Sequence, residues 1–266
     1  MKTNVLILIA CLLLIMNSCN PFHTIIRGDG NLVTRTLTLD DYDVIEASHS
    51  MKITYVQSED IPALTVTTDQ NIMEKYIFQV NGTKLEIKPK DEYRRTTNFL
   101  PTQFTVTTHS KGLKKADLAG SITFDLDSLF TGNDLEINLA GSGTINLNDQ
   151  VTVHDLKAGL AGSATFNAYR LKGNDFDGNI AGSGKLNLGG IMTKATFEIA
   201  GSGIVRAFDL QVEDLACNIA GSGDVEISVS NSISADIAGS GRIKHKGDPQ
   251  IIRKEIAGSG SIKKMD

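Results

Sequence analysis

Several residue types are scarce in this chain of 266 residues: it has no tryptophan, 5 prolines and 3 cysteines, and aromatic residues make up 6%. A buried core must therefore consist mainly of aliphatic side chains. The formal net charge of −5 gives no general electrostatic case for nucleic acid as a partner. Glycine, in contrast, occurs 25 times, and abundant glycine with scarce proline favours many tight turns between short strands.

One long apolar run stands out, and it lies at the N-terminus. Lys2 precedes the run Val5–Met16, which has 12 apolar residues. Such a run is too short to span a bilayer comfortably and is typical of the core of a signal peptide. The sequence thus predicts an exported protein.

A cysteine follows this run. Ser18 directly precedes Cys19, an arrangement that resembles a bacterial lipoprotein signal, in which the cysteine is lipidated after cleavage. We predict a signal peptide over 1–18, lipid attachment at Cys19 and a tether over 19–30. Two alternatives stay open: processing at Cys11, which leaves an apolar core of only six residues, and ordinary secretion without lipid.

Removal of Cys11 and lipidation of Cys19 leave Cys217 as the remaining cysteine. No intramolecular disulfide is then available to an exported chain. We interpret Cys217 as a buried structural thiol, with a reactive thiol as the alternative.

The second half of the chain is repetitive. The tripeptide Ala-Gly-Ser occurs eight times, with spacings of 18 to 21 residues, and its alanines are Ala119, Ala140, Ala161, Ala181, Ala200, Ala220, Ala238 and Ala257. Self-similarity at a period near 20 is typical of a solenoid, in which one supersecondary unit stacks on copies of itself.

Apolar residues keep fixed positions within each repeat. The position directly before each repeat alanine and the position five residues after it are apolar in all eight copies. Polar positions such as Asn146, Asn167 and Asn187 lie beside them. This period-2 alternation gives two short strands per repeat, each with one apolar face. Parallel pairing of equivalent strands predicts a parallel β-helix of about eight coils.

Glycine marks the junction between the two strands. It follows every repeat alanine, and it follows the serine in six copies, with Ile122 and Ala164 as the exceptions. A residue without a side chain lets the chain turn a corner close to the axis or adopt a positive φ. The pattern leaves open whether alanine and serine face inward or outward.

The region before the repeats is strand-like but not repetitive. Asp69 is a candidate cap for a brief helix over 69–76, and Asn81-Gly82 predicts a hairpin turn. We therefore predict an N-terminal β-rich segment over 31–112 and a repeat body over 113–266.

Basic residues crowd the last two repeats: Arg242, Lys244, Lys246, Arg253, Lys254, Lys263 and Lys264. The last coil of a solenoid exposes an unpaired edge and needs a cap. We interpret these charges as a cap that blocks edge-to-edge association. A basic patch that recruits phosphate or an acidic glycan is the alternative.

A polar column two residues before each alanine contains Asp117, Asn138, Gly159, Asn179, Glu198, Asn218, Asp236 and Glu255. We interpret it as an outward stack of hydrogen-bonded amides and solvated acids. A shallow carbohydrate- or cation-binding face is the alternative.

The opening DDYDVIEASHSMKITYVQ, the following LTVTTDQNIMEKYIFQVNGTKLEI and the serial AGSG units together resemble the bacterial family of putative auto-transporter adhesins with a head GIN domain. The resemblance covers roughly residues 36 to 262. It implies a right-handed parallel β-helix in the envelope of Gram-negative bacteria, often with a lipoprotein signal. It implies no established catalytic activity and supplies no functional residues.

Catalytic constellations are not evident in the sequence. Glycoside hydrolysis needs two carboxylates about 5–9.5 Å apart across a cleft. The candidates are Asp125 with an acid of a neighbouring coil, and the pair Asp224 and Glu226. The five histidines have no metal-ligand spacing. We therefore predict no catalytic residue, no cofactor and no metal site.

Two functional hypotheses follow. The first is a non-enzymatic lipoprotein of the Gram-negative envelope, expected at the outer membrane, that presents β-helix faces to a glycan, a lipid-associated surface or an envelope protein. The second is a carbohydrate-active β-helix enzyme, either a polysaccharide lyase or a hydrolase. A groove with clustered carboxylates would favour the second hypothesis.

Overall fold

The structure is a computed structural model that describes residues 24–94 and 96–265. The predicted signal peptide and Cys19 lie outside the described residues, and lipid attachment there stays a prediction. The division of the chain into signal, tether, N-terminal segment and repeat body also stays a prediction.

The described chain is almost entirely β-structure. Its one helix, α1, spans Gln70–Met73. The first nine strands are β1 Thr24–Arg27, β2 Leu32–Thr38, β3 Val44–Gln57, β4 Ala63–Asp69, β5 Tyr76–Asn81, β6 Lys84–Pro89, β7 Thr97–Leu100, β8 Phe104–Ser110 and β9 Lys115–Leu126. The remaining strands are β10 Phe130–Thr131, β11 Asp134–Gly141, β12 Thr144–Leu147, β13 Val151–Gly162, β14 Thr165–Gly182, β15 Lys185–Gly201, β16 Ile204–Gly221, β17 Asp224–Gly239, β18 Arg242–Lys246, β19 Ile251–Gly258 and β20 Ser261–Lys264.

The repeats stack as a parallel β-solenoid of about 8 turns with a period of about 20 residues, which confirms the predicted fold class. Each repeat alanine pairs with the next, as in Ala140 with Ala161 and Ala161 with Ala181. A third short face, which the two-strand prediction missed, forms where Phe130, Val151 and Leu171 pair in successive coils.

The apolar columns form one continuous core that extends from Tyr42 to Ile243. Phenylalanine rings pack against one another along it at steep angles, with centroids 6.5 Å apart for Phe166 and Phe176 and 5.9 Å for Phe176 and Phe197. Cys217 is fully buried in this core, and burial raises the pKa of its thiol to about 12. The prediction of a structural thiol is confirmed, because a buried neutral thiol is a poor nucleophile.

The corner glycines are required by backbone geometry. The glycine after each repeat alanine has a positive φ, for example +122° at Gly201, and an added Cβ there would lie 2.5 Å from the carbonyl oxygen of Gly182. The exceptions at the second glycine position, Ile122 and Ala164, are buried. The repeat alanine and serine face outward, since all eight repeat serines are exposed and none of the eight repeat alanines is buried.

Strand β3 is a coil that the sequence did not reveal. Its residues 44–55 pair in parallel with residues 115–126 of β9. Ser48, His49 and Ser50 thereby oppose Ala119, Gly120 and Ser121. The chain segment between β3 and β9 caps this end: β6 pairs with the first half of β3, and β8 pairs with its second half. The hairpin β5–β6 and the antiparallel strands β4 and β2 extend the same large sheet, whereas β1 and β7 form a separate two-stranded sheet.

Local predictions in the cap are met in part. Asp69 precedes α1 as predicted, but its side chain makes no capping hydrogen bond. Instead its carboxylate accepts hydrogen bonds from the backbone N–H groups of Gly30 (2.9 Å) and Thr102 (2.8 Å). The hairpin forms, with Gly82 at φ +65°. Residues 24–27 of the predicted tether form β1, which pairs with β7.

The C-terminal end of the solenoid is open. Every residue of β19 is exposed, including Ile252 and Ile256, whose columns are buried in earlier coils. Several nearby basic side chains bind acids on adjacent strands: Arg242 binds Asp224 at 2.8 Å and Lys244 binds Glu226 at 3.0 Å. Such pairing favours a solvated, charged end over a concentrated basic patch.

Candidate functional site: a polar pocket on the side of the solenoid

A ladder of amides runs along the face formed after the corner. Asn146 donates to Asp125 (2.7 Å), Asn167 donates to Asn146 (2.8 Å), and Asn187 donates to Asn167 (2.8 Å). The ladder exists because these residues occupy one outward column in parallel register. Lys52 of β3 pairs with Asp125 at 3.0 Å and closes the ladder at its N-terminal end.

A concave pocket of about 280 Å³ opens beside this ladder, lined by Asn146, Leu147, Asn148, Asn167, Tyr169 and Arg170. We call it the Tyr169 pocket. Its lining combines amide groups, one aromatic ring and one guanidinium group, so its floor offers both hydrogen bonds and an apolar surface.

A β-bulge places Tyr169 at the rim. Ala168 pairs with Leu188 and Leu171 pairs with Gly190, so Tyr169 and Arg170 together oppose the single residue Gly189. A bulge re-aims the side chains of the strand that carries the extra residue. Tyr169 is 58% exposed, and the residue that opposes the bulge, Gly189, has no side chain.

The charge of Arg170 is compensated within the pocket. One guanidinium nitrogen lies 3.2 Å from the carboxylate of Asp149, and another donates to the backbone carbonyl of Asn148 at 3.1 Å. The side-chain amide of Asn148 donates in turn to Asp127. The pocket therefore presents a fixed polar surface without an uncompensated cation at its centre.

The carboxylates considered for glycoside hydrolysis are engaged by cations. Asp125 pairs with Lys52, and Asp224 and Glu226 pair with Arg242 and Lys244. Arg242 lowers the pKa of Asp224 chiefly through its hydrogen bond, which is the opposite of what a general acid requires. Among the described residues, no group of three or more His, Cys, Asp or Glu side chains is arranged to hold a metal ion.

A second, larger hollow of about 430 Å³ lies where the cap meets the first coils. Two of its charges are used internally, since Lys114 pairs with Asp43 at 2.7 Å. The side chain of Gln57 bridges its wall by donating to Lys111 and accepting from Thr131. We assign it a role in joining the cap to the solenoid.

The polar column two residues before each alanine forms a stack, as predicted. Its members pair in register, and Asn138 donates to Asp117 at 3.0 Å. The predictions did not single out Tyr169 or Arg170. The available signals were an aromatic residue in an outward position and the change in repeat spacing from 20 to 19 residues at Ala181, which produces the bulge.

Comparison with known protein families agrees with this architecture. Residues 41–249 match the family model described as "Putative auto-transporter adhesin, head GIN domain". The chain belongs to this family. The match confirms the resemblance that the repeats indicated, and the family description points to a protein of the bacterial envelope or surface.

Solved structures agree with this membership. The chain is 36% identical to a protein from Parabacteroides distasonis named a putative lipid binding protein, covering 91% of this chain and 100% of that one, with a TM-score of 0.88. It is 28% identical to a putative adhesin from Parabacteroides merdae over the same shares, with a TM-score of 0.83. A comparison with curated proteins gives no significant match. These relatives are named as adhesins or lipid-binding proteins and not as enzymes.

Within residues 24–94 and 96–265, no helix has the length and apolar character needed to cross a bilayer.

Proposed function

We propose that this protein is a non-enzymatic, adhesin-like binding module of the Gram-negative cell envelope, anchored by lipid on Cys19. The observation that supports binding most directly is the Tyr169 pocket, a concave site on the side of the solenoid. Family membership and the names of the relatives agree with an adhesin-like role. The engaged carboxylates argue against a polysaccharide-degrading enzyme.

The position of the predicted anchor fits this proposal. The described chain begins with β1, which pairs with β7 in the cap. A lipid on Cys19 would thus hold the capped end near a membrane, expected to be the outer membrane, and leave the sides of the solenoid accessible. The ligand class in this proposal is a glycan or an envelope protein.

Binding and turnover are tested together. The purified full chain is applied to a glycan array and to immobilised envelope proteins, and is incubated with a broad polysaccharide panel. We expect specific retention on at least one surface and no new reducing ends or unsaturated products. Clean turnover of any polysaccharide would overturn the non-enzymatic assignment, and no retention on any surface would overturn the binding assignment.

Anchoring is tested separately. Intact mass of membrane-extracted protein should show acyl groups, and a Cys19→Ser variant should be released in soluble form. An unmodified, secreted wild-type product would refute the anchor without affecting the binding proposal.

Lipid is a second candidate ligand, because a relative of 36% identity is named a lipid binding protein. Co-sedimentation with vesicles of phosphatidylethanolamine and phosphatidylglycerol, using the Cys19→Ser variant so that the chain's own lipid does not contribute, tests this candidate.

A further inference from the structure

We infer that the Tyr169 pocket binds a neutral hexose unit of a glycan. This inference deepens the proposed binding function and rests on it. The argument uses the hydrogen-bonding capacity of the amides, the exposed ring, the charge balance and the size of the pocket.

The amide ladder retains hydrogen-bonding capacity toward a ligand. Asn167 uses one N–H to donate to Asn146 and its oxygen to accept from Asn187. A carboxamide has two N–H donors and two acceptor lone pairs, so Asn146 and Asn167, the two ladder amides that line the pocket, each keep one donor and one acceptor. The ladder bonds also fix the orientation of the amides, so their remaining groups are preorganised. Vicinal hydroxyl groups of a sugar act as paired donors and acceptors that match this arrangement.

The Tyr169 ring supplies an apolar surface. It is 58% exposed in a chain whose aromatic content is only 6%. Hexose rings carry C–H groups on one face, and such a face packs on an aromatic ring whose π-surface is electron-rich. Tyr169 lies at the bulge opposite Gly189, and its exposure leaves room for the C–H face of a sugar ring.

Charge favours a neutral sugar over an acidic one. The guanidinium of Arg170 already pairs with Asp149, and the nearby Asp127 accepts from Asn148. A uronic acid or a phosphorylated sugar would bring its negative charge close to these carboxylates, which would repel it. A neutral hexose meets no such repulsion.

Size limits the ligand to a short segment. The volume of about 280 Å³ lies just below the roughly 300–1,000 Å³ common for small-molecule sites. It suits one monosaccharide unit of a chain that continues across the open face.

The experiment measures binding of the full chain to immobilised neutral oligosaccharides of glucose, galactose, mannose and N-acetylglucosamine, with trigalacturonic acid as the charged probe. We expect a neutral oligosaccharide to bind at least tenfold more tightly than trigalacturonic acid. Tyr169→Ala should weaken that binding at least tenfold, or about 1.4 kcal/mol, while Tyr169→Phe should retain it within threefold. The matched control is Phe208→Ala, because Phe208 follows Ala200 by the same eight residues that separate Tyr169 from Ala161 and lies outside the pocket.

The outcomes separate the two levels of the proposal. Neutral binding that Tyr169→Ala leaves unchanged would overturn the pocket assignment but keep the binding module. Binding only to trigalacturonic acid or only to an envelope protein would overturn the neutral-sugar assignment alone. Circular dichroism and the melting temperature of each variant verify that its substitution leaves the fold intact.

Discussion

His49 occupies the backbone position of Gly120 in the adjacent coil. The two residues pair in register, and both have a positive φ, +83° at His49 and +118° at Gly120. A β-carbon makes this conformation costly, so glycine is the usual residue there. The ring of His49 packs against Phe99 and Tyr76, with centroids 5.7 and 6.3 Å away, and thereby joins the first coil to the cap.

Paired substitutions at His49 separate the backbone from the ring. His49→Gly and His49→Ala both remove the ring contacts, but only glycine relieves the positive φ. We expect the alanine variant to be less stable than the glycine variant by about 1 kcal/mol, measured by chemical denaturation. The same pair at the neighbouring Ser48 is the control and should show no advantage for glycine. Equal stability of the two His49 variants would contradict this account.

A side chain at a corner glycine should lower the free energy of unfolding. Gly201→Ala introduces a Cβ at φ +122° and close to the carbonyl oxygen of Gly182. We expect a loss of about 1–3 kcal/mol in the free energy of unfolding from the strained conformation alone. Ser202→Ala, one residue later on the exposed corner, should change it by less than about 0.5 kcal/mol. Similar losses for both variants would show that the corner is more adaptable than its geometry indicates.

Asp69 should make the cap sensitive to acid. Burial raises the pKa of its carboxyl, but the hydrogen bonds from Thr102 and Gly30 outweigh burial and lower the pKa below its ordinary value. Asp69 therefore contributes stability that is present above its unfolded pKa of about 3.9 and is lost as the pH falls through the lower folded pKa.

The test of Asp69 compares two variants. Asp69→Asn replaces one acceptor oxygen by a donor and should cost about 1–3 kcal/mol at pH 7, with a smaller loss of stability on acidification than the wild type. Asp60→Asn, at an exposed carboxylate, is the control. Hydrogen exchange in β2 and β4 over pH 2–7 reports on the cap. An unchanged acid profile in Asp69→Asn would refute the assignment.

Lys254 should keep the open end of the solenoid from self-association. It pairs with Ala235 and continues the column of Cys217 and Phe197, which is buried in earlier coils. An inward charge on an edge strand blocks further pairing because association would bury it. Lys254→Ile should produce concentration-dependent oligomers in sedimentation velocity, whereas Lys263→Ile, in an outward column, should remain in the wild-type state. Oligomers of both variants, or of neither, would contradict this role.

The parts of the fold that recur could be predicted from sequence. Each inward column recurs in most of the coils, so isolated exceptions such as Ile122 and Ala164 did not obscure the pattern. The burial of Cys217 could be predicted because this residue occupies an inward column. The third face was missed because its strands are short and their register varies between coils, as at the bulge before Leu171.

The coil formed by β3 was missed for a different reason. His49 and Gly120 are separated by an insertion that folds into the cap, so the repeat period is interrupted. The tripeptide also differs, since Ser-His-Ser replaces Ala-Gly-Ser. Only pairing in three dimensions shows that the two segments are equivalent.

The sequence by itself determined a parallel β-solenoid with an aliphatic core, because the period of the apolar columns and the corner glycines admit one regular way to bury the apolar face. The tertiary structure decided what lies on its surface. Tyr169 and the asparagine ladder come together because residues about 20 positions apart in sequence stack in adjacent coils, and because one extra residue opposite Gly189 turns a ring outward. That placement depends on the register between coils, which the repeat pattern alone does not specify at the bulge.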